Sequence, residues 1–323
     1  MEHQIFTYLL FILGFVVLIT GANMLIDGSA SIARKLSISN IAIGLTVVAF
    51  GTSAPEFIVS FFATLKGNTD LAIGNILGSN IANILLVLGI SAIIYPIAVQ
   101  RNTVLKEIPF SLLAVLLLGV TANDILFDRE ATSVISRIDG LVFLLFLVIF
   151  ITYTFGISKL KENGEDANEV KNYGYFKSAA FILIGLVFLV LGGKWIVDGA
   201  VKIAELFNIS QSLIGLTVIA VGTSLPELAT SVVAAFKKQT DIAIGNIVGS
   251  NVLNILWILG FNAVIRPLPL NPASNIDILM TIFASLILFI SMYISKKHVI
   301  ERWQGIVMVV FYLSYVGFLV INR

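Results

Sequence analysis

The sequence predicts an all-α membrane protein of ten transmembrane helices, arranged as two inverted five-helix repeats, and three observations lead there. The 323 residues are 58% hydrophobic and only 12% charged, with mean hydropathy +1.00, against about 25% charged for an ordinary soluble domain. Ten apolar segments, centred near Val16, Ala54, Leu85, Val115, Phe146, Leu189, Leu225, Ile255, Leu286 and Val310, alternate with short polar loops, and about 20 apolar residues suffice to cross the hydrocarbon. Finally, the second half repeats the first at a constant offset of 171 residues.

Each half follows the same order. The opening apolar run lacks a basic n-region (MEHQ) and a small-residue cleavage site, so it is expected to be a span and not a signal peptide. Span two carries IGLTVVAFGTSAPE at Ile43 to Glu56, and span seven carries IGLTVIAVGTSLPE at Ile214 to Glu227, identical at eleven of fourteen positions. Span three opens with DLAIGNILGSNIAN at Asp70 to Asn83, and span eight with DIAIGNIVGSNVLN at Asp241 to Asn254, identical at ten of fourteen. Gly14 pairs with Gly185, Gly21 with Gly192, Asp27 with Asp198 and Pro96 with Pro267.

Between the halves, residues 157–177 form the one conspicuous polar loop, expected to be a solvated linker between a first repeat (1–156) and a second (178–323). Loops on one side hold thirteen Lys and Arg and those on the other hold seven. The positive-inside rule therefore predicts a cytoplasmic linker and both termini outside. Five spans is an odd number, so the repeats are expected to be inverted, the organisation of secondary transporters.

Glu56 and Glu227 carry the chemistry. A charge at the bilayer centre costs about 2.5–3.5 kcal/mol on insertion scales, and an intramembrane carboxylate is by default a functional residue. No Lys or Arg within the spans is placed to neutralise both. Pro55 and Pro226 lack an amide hydrogen and are expected to bend their helices and free the carbonyls of Gly51 and Gly222. Thr52 and Thr223, four residues before each Glu, are expected on its helix face. Asn75, Ser79 and Asn83 recur every four residues along span three, as do Asn246, Ser250 and Asn254 along span eight. An all-oxygen set with two negative charges suits a hard cation such as Ca²⁺, and Na⁺ fits the same oxygens. There is no Cys, and His3 and His298 lie outside the spans, so no soft ligand is present for zinc or copper.

Blander roles fit other repeated residues: close packing for Gly14, Gly21, Gly185 and Gly192, and solvated or capping positions for Asp27, Asp198, Asp70 and Asp241 near span ends. A net charge of +1 with scattered basic residues gives no nucleic-acid surface.

These motifs, GTSAPE with GTSLPE and GNILGSNIAN with GNIVGSNVLN, resemble the cation/calcium antiporter superfamily, specifically the prokaryotic sodium/calcium exchangers with two alpha-repeats, over nearly the full chain. The resemblance implies Glu56 and Glu227 at the centre of the ion site. It adds side-chain oxygens of Thr52, Ser53, Ser79, Asn83, Thr223, Ser224, Ser250 and Asn254, and the carbonyls of Ala49 and Ala220. It implies a Na⁺/Ca²⁺ antiporter of the prokaryotic cytoplasmic membrane whose partners are the lipid bilayer and the transported ions. No cofactor and no obligate protein partner are expected, and no enzymatic activity. Some relatives, including potassium-dependent exchangers, carry Asp where this chain has Asn254. Proton/calcium members carry Glu-His pairs where it has Leu77-Gly78 and Val248-Gly249. The first departure argues against potassium co-transport, and the second favours sodium over protons. A proton/calcium antiporter is the alternative, because a desolvated Glu can take a proton instead. A cation channel is disfavoured by the inverted repeat, and a metalloprotease by the absence of His in the spans.

Overall fold

Glycines at seven-residue spacing, two helical turns apart, put a bare stripe on one face of the first span. In the computed structural model, which describes residues 2–127, 132–157, 173–206, 220–294 and 298–322, that span is helix α1 (Glu2–Leu36), and its stripe lies on helix α8 (Tyr175–Leu206). The backbones touch: a β-carbon built on Gly21 would stand 2.8 Å from the Gly185 carbonyl oxygen, and one on Gly185 would stand 2.8 Å from that of Gly21. Gly14 and Gly192 meet the same way, so small residues permit a helix crossing that no larger side chain allows. Gly21→Val is expected to cost about 1–3 kcal/mol through overpacking, read as a lowered melting temperature of the purified protein.

The remaining helices follow the repeat. Helix α2 (Asn40–Thr52) breaks by 47° into α3 (Ala54–Leu65). After it come α4 (Thr69–Ile94), α5 (Thr103–Thr121) and α7 (Arg137–Ile157), with the single turn α6 (Asp124–Phe127) before α7. In the second half, α9 (Ala220–Thr223) and α10 (Leu225–Phe236) correspond to α2 and α3. They are followed by α11 (Thr240–Ile265), α12 (Ser274–Ser291) and α13 (Arg302–Asn322).

Among the described residues eight helices are long and apolar enough to cross a membrane, nine if the bent α2–α3 pair is one span. The expected seventh span is represented by α9 and α10, and its opening residues 207–219 lie outside the described residues, as do residues 158–172 of the expected linker.

Two helices form the axis of the bundle. The apolar window of α4 is 78% buried and that of α11 is 94% buried, against 22–44% for the outer spans. Helix α7 packs on the C-terminal part of α11, α13 on that of α4, and α12 on α5. Two short antiparallel strand pairs tie the halves together outside the helices: β1 (Ile97–Ala98) with β4 (Val299–Ile300), and β2 (Val134–Ile135) with β3 (Leu268–Pro269). The residues left exposed on the outer helices are large and apolar, among them Leu145, Phe155, Leu183, Ile306 and Leu313, the surface that a lipid solvent requires.

Candidate functional site

Both Pro-containing segments break where their sequence permits and, in doing so, aim two helix N-termini inward. Helix α2 stops at Thr52, Ser53 takes φ −80°, ψ 6°, and α3 begins at Ala54. In the second half Ser224 takes φ −85°, ψ 5° between α9 and α10. Pro55 and Pro226 then sit in the first turn of a new helix, where a missing N–H interrupts no intrahelical bond. The expected bend is thus a clean break, and it places Glu56 and Glu227 in first turns, where the helix dipole favours negative charge.

The sequence Ser53-Ala54-Pro55-Glu56 has the spacing of a capping box, yet the Ser53 hydroxyl makes no cap. It donates instead across the repeat boundary to Glu227 Oε1 at 3.2 Å. Ser250, on α11, donates to the same oxygen at 3.4 Å. In the other half, Ser79 on α4 donates to Glu56 Oε1 at 3.3 Å, and Asn75 Nδ2 donates to the Glu56 backbone carbonyl at 3.3 Å. Both glutamates are fully buried. Among the described residues neither pairs with a Lys, Arg or His.

Thr52 requires a correction to the sequence expectation. The break at Ser53 takes it off the face of Glu56, and its hydroxyl donates to Asn246 Oδ1 at 3.0 Å and lies 3.5 Å from Ser250 Oγ, on the Glu227 side. Thr223 correspondingly donates to Asn75 Oδ1 at 3.3 Å, beside Glu56. The i, i+4 rule holds only within a continuous helix, and each threonine therefore serves the opposite repeat. Ala49, buried at the start of the last turns of α2, has a carbonyl that already accepts from Ser53 N at 3.0 Å and from the Thr52 hydroxyl at 3.4 Å. Ala220 begins the described part of α9, and its side chain lies outside the described residues.

Asn83 and Asn254 open the wide π-helical turns Asn83–Leu88 and Asn254–Leu259, a distortion frequent at functional sites. Asn83 Nδ2 donates to Asn251 Oδ1 at 3.1 Å, and Asn254 Nδ2 to Asn80 Oδ1 at 2.9 Å. Asn80 and Asn251 close the cluster by each donating to the other's backbone carbonyl at 3.3 Å. Asn80 and Asn251 escape a reading that follows spacings of four, whereas Ser60 and Ser231, which accept from Asn75 and Asn246 at 2.9 and 3.0 Å, stand four residues past Glu56 and Glu227 and are open to it. The signal that finds them is the 171-residue offset, which both pairs obey.

What remains unpaired is informative. Buried polar atoms are nearly always hydrogen-bonded, yet among the described residues eleven buried side-chain oxygens have no partner, and five of them, Glu56 Oε2, Glu227 Oε2, Asn83 Oδ1, Asn254 Oδ1 and Ser224 Oγ, belong to the set the sequence marks. The amide nitrogens of Asn83 and Asn254 and one oxygen of each glutamate are already bonded, so each of these four side chains is held with one acceptor left over. Among the described residues no group of three or more His, Asp or Glu side chains could hold a metal. The donor set is therefore two carboxylates with neutral amide and hydroxyl oxygens, and a hard cation with irregular coordination fits it.

Comparison with known proteins places this architecture. A family model described as sodium/calcium exchanger protein matches residues 6–156 and 177–321. The chain is 31% identical to the sodium/calcium exchanger MaX1 of Methanosarcina acetivorans over 344 aligned positions, covering 95% of this chain and 97% of that one. It is 38% identical to the inner membrane protein YrbG of Escherichia coli over 273 positions, 81% of each chain. A solved structure of the sodium-calcium exchanger NCX_Mj superposes with a TM-score of 0.83 at 35% identity, covering 97% of this chain and 99% of that one.

Proposed function

Because the chain belongs to the sodium/calcium exchanger family, we propose that it exchanges Na⁺ for Ca²⁺ by alternating access, with Glu56 and Glu227 sharing the transported ion. The protein is a multi-pass membrane antiporter of the cation/calcium superfamily, and the family is one of transporters. The observation that carries the finer reading is the pair of fully buried carboxylates, each with one oxygen bonded and one unpaired, and no cationic side chain beside either among the described residues.

The charge count gives exchange instead of leak. An empty site holds two negative charges, and moving them through a low dielectric costs at least about 5 kcal/mol on insertion-scale values. At 1.36 kcal/mol per decade this slows empty return by about a thousandfold or more. One Ca²⁺ or two Na⁺ cancel that charge and remove the barrier. Calcium and sodium thus compete for the same carboxylates, and transport of one requires return of the other.

Ten spans in two inverted repeats, 1–156 and 178–323, joined by a cytoplasmic linker at 157–177 with both termini outside, complete the proposal. Its support is the mirrored bonding: Glu56 with Ser79 and Glu227 with Ser250, Asn75 with Ser60 and Asn246 with Ser231. In a prokaryotic cell the protein would sit in the cytoplasmic membrane.

Proteoliposomes loaded with ⁴⁵Ca²⁺ test the coupling ion. Release driven by an imposed Na⁺ gradient at constant pH is expected, and release that needs only a pH gradient would replace sodium with protons. A third carboxylate should shift the balance further. Asn254→Asp puts it where an unpaired oxygen already points, and it is expected to change the relative competition of Na⁺ and K⁺ against Ca²⁺ uptake in the same vesicles.

A further inference from the structure

Outside the ion site, one mirrored set of charges is bonded differently in the two halves of the molecule, and the difference does not arise in their local backbones. Lys237 caps the C-terminus of helix α10 and Lys66 that of helix α3, at positions related by the 171-residue offset. Their turns are the same. Lys237 N bonds Val233 O at 3.0 Å and Lys66 N bonds Phe62 O at 3.1 Å. The next residues, Lys238 and Gly67, take positive φ of 58° and 79° and bond Ala235 O and Thr64 O at 3.0 Å each. Both lysines therefore leave the helix from matching backbones.

Their partners differ. Lys237 Nζ lies 2.6 Å from Asp27 Oδ1 on α1 and also donates to the Asn23 carbonyl at 3.3 Å. The mirror of Asp27 is Asp198 on α8, and among the described residues Asp198 and Lys66 make no ion pair and are both exposed. The helices carry the same asymmetry: α1 packs along α10, while α8 has no comparable packing against α3. The closely packed pair α1–α8 is thus drawn toward α10 at one face and stands away from α3 at the other.

We propose that Asp27–Lys237 and Asp198–Lys66 are two latches that form in turn, one at each face, positioning the α1–α8 pair in the two end states of transport. This rests on the alternating-access reading above, and it adds the residues that hold each state. In the conformation described here the Asp27–Lys237 latch is closed, on the side where the basic residues Arg34 and Lys35 end α1. When α1 and α8 shift together toward the opposite face, Lys237 loses Asp27 and Lys66 gains Asp198.

The latches are unequal by sequence. The position of Asn23, whose carbonyl supports Lys237, is taken in the second half by Lys194. Its ammonium stands one turn before Asp198, where it competes for that carboxylate and repels Lys66. The Asp198–Lys66 latch is the weaker of the two, and the protein favours the state in which Asp27–Lys237 is closed.

The chain has no Cys, so spin labels can be placed cleanly. Leu36 and Phe236 mark the ends of α1 and α10, and Leu206, one residue before the mirror of Leu36, and Leu65, the mirror of Phe236, mark those of α8 and α3; all four are exposed. Electron–electron distances in nanodiscs are measured on L36C/F236C and on L65C/L206C. Lys237→Gln is expected to lengthen the first distance and shorten the second, moving the population ratio by at least about two- to fivefold, the effect of a solvent-exposed ion pair, since this pair is partly buried. Lys194→Asn should enlarge the short L65C/L206C population in the same direction, and Asp27→Lys combined with Lys237→Asp should restore the wild-type ratio. Unchanged distributions in Lys237→Gln, or no restoration by the charge swap, overturn the latch while leaving alternating access intact. If the unsubstituted protein shows one distance at each face whatever the Na⁺ and Ca²⁺ concentrations, alternating access itself fails, and the latch with it.

Discussion

Glu56→Gln or Glu227→Gln is expected to abolish Ca²⁺ transport while leaving folded protein in the membrane. Each substitution keeps the shape of the side chain and removes one of the two charges that a divalent ion needs. Two unit charges 4 Å apart interact by about 4 kcal/mol at an effective dielectric of about 20, so affinity should fall by about three decades or more. Uptake of ⁴⁵Ca²⁺ into proteoliposomes checks this, and near-normal uptake in either variant would remove that glutamate from the site. The effect on stability has the opposite sign in the absence of ions. Both carboxylates are buried with an unpaired oxygen, so a neutral amide relieves a desolvated charge. The ion-free variants should melt no lower than the unsubstituted protein. Ca²⁺ should no longer raise their melting temperature, because an ion bound only by the folded state stabilises it in proportion to occupancy.

The second large effect is expected at a residue that need not touch the ion. Asn251 accepts from Asn83 Nδ2, donates to the Asn80 carbonyl, and through its own carbonyl accepts from Asn80 Nδ2. Asn251→Leu removes the first two bonds and crowds the third, among side chains buried from solvent. Interhelical hydrogen bonds in membranes contribute about 0.6–2 kcal/mol each, and an orphaned buried polar group costs about 1–3 kcal/mol. A loss of about 2–4 kcal/mol is expected, seen as a drop in melting temperature larger than that of Ser250→Ala. Transport should fall as well, because Asn83 loses the bond that leaves its oxygen unpaired. Asn80→Leu, the mirror change, should match it. A large defect in only one of the pair would mean that the cluster does not act symmetrically.

Much of this was readable from residues alone, for reasons that can be named. Glu56 and Glu227 stand out because a carboxylate in an apolar run is costly, and the 171-residue offset identifies Ser79 with Ser250 and Asn83 with Asn254 before any contact is known. Packing of Gly14 and Gly21 against α8 follows from small residues two turns apart. What escaped the sequence depends on where helices stop. Thr52 would share a face with Glu56 only if α2 continued through Ser53, and the break sends it to Asn246 instead. Ser53 has the pattern of a cap, and only the approach of the other repeat shows that Glu227 takes its hydroxyl. Asn80 and Asn251 lie off the spacing of four that marks Asn75, Ser79 and Asn83, so their mutual bonds emerge only when α4 and α11 cross. Charge pairs such as Asp27 with Lys237 are likewise tertiary facts, since 210 residues separate them.

The central claim is that both carboxylates hold one ion together. Crystals grown with Ca²⁺ and measured at a wavelength where calcium scatters anomalously test it most directly. The account predicts an anomalous peak between the two half-sites, with oxygens of Glu56 and Glu227 both at about 2.3–2.6 Å, weakened as Na⁺ is added. A peak bound by only one glutamate, or two separate peaks with one glutamate each and none between them, would contradict it.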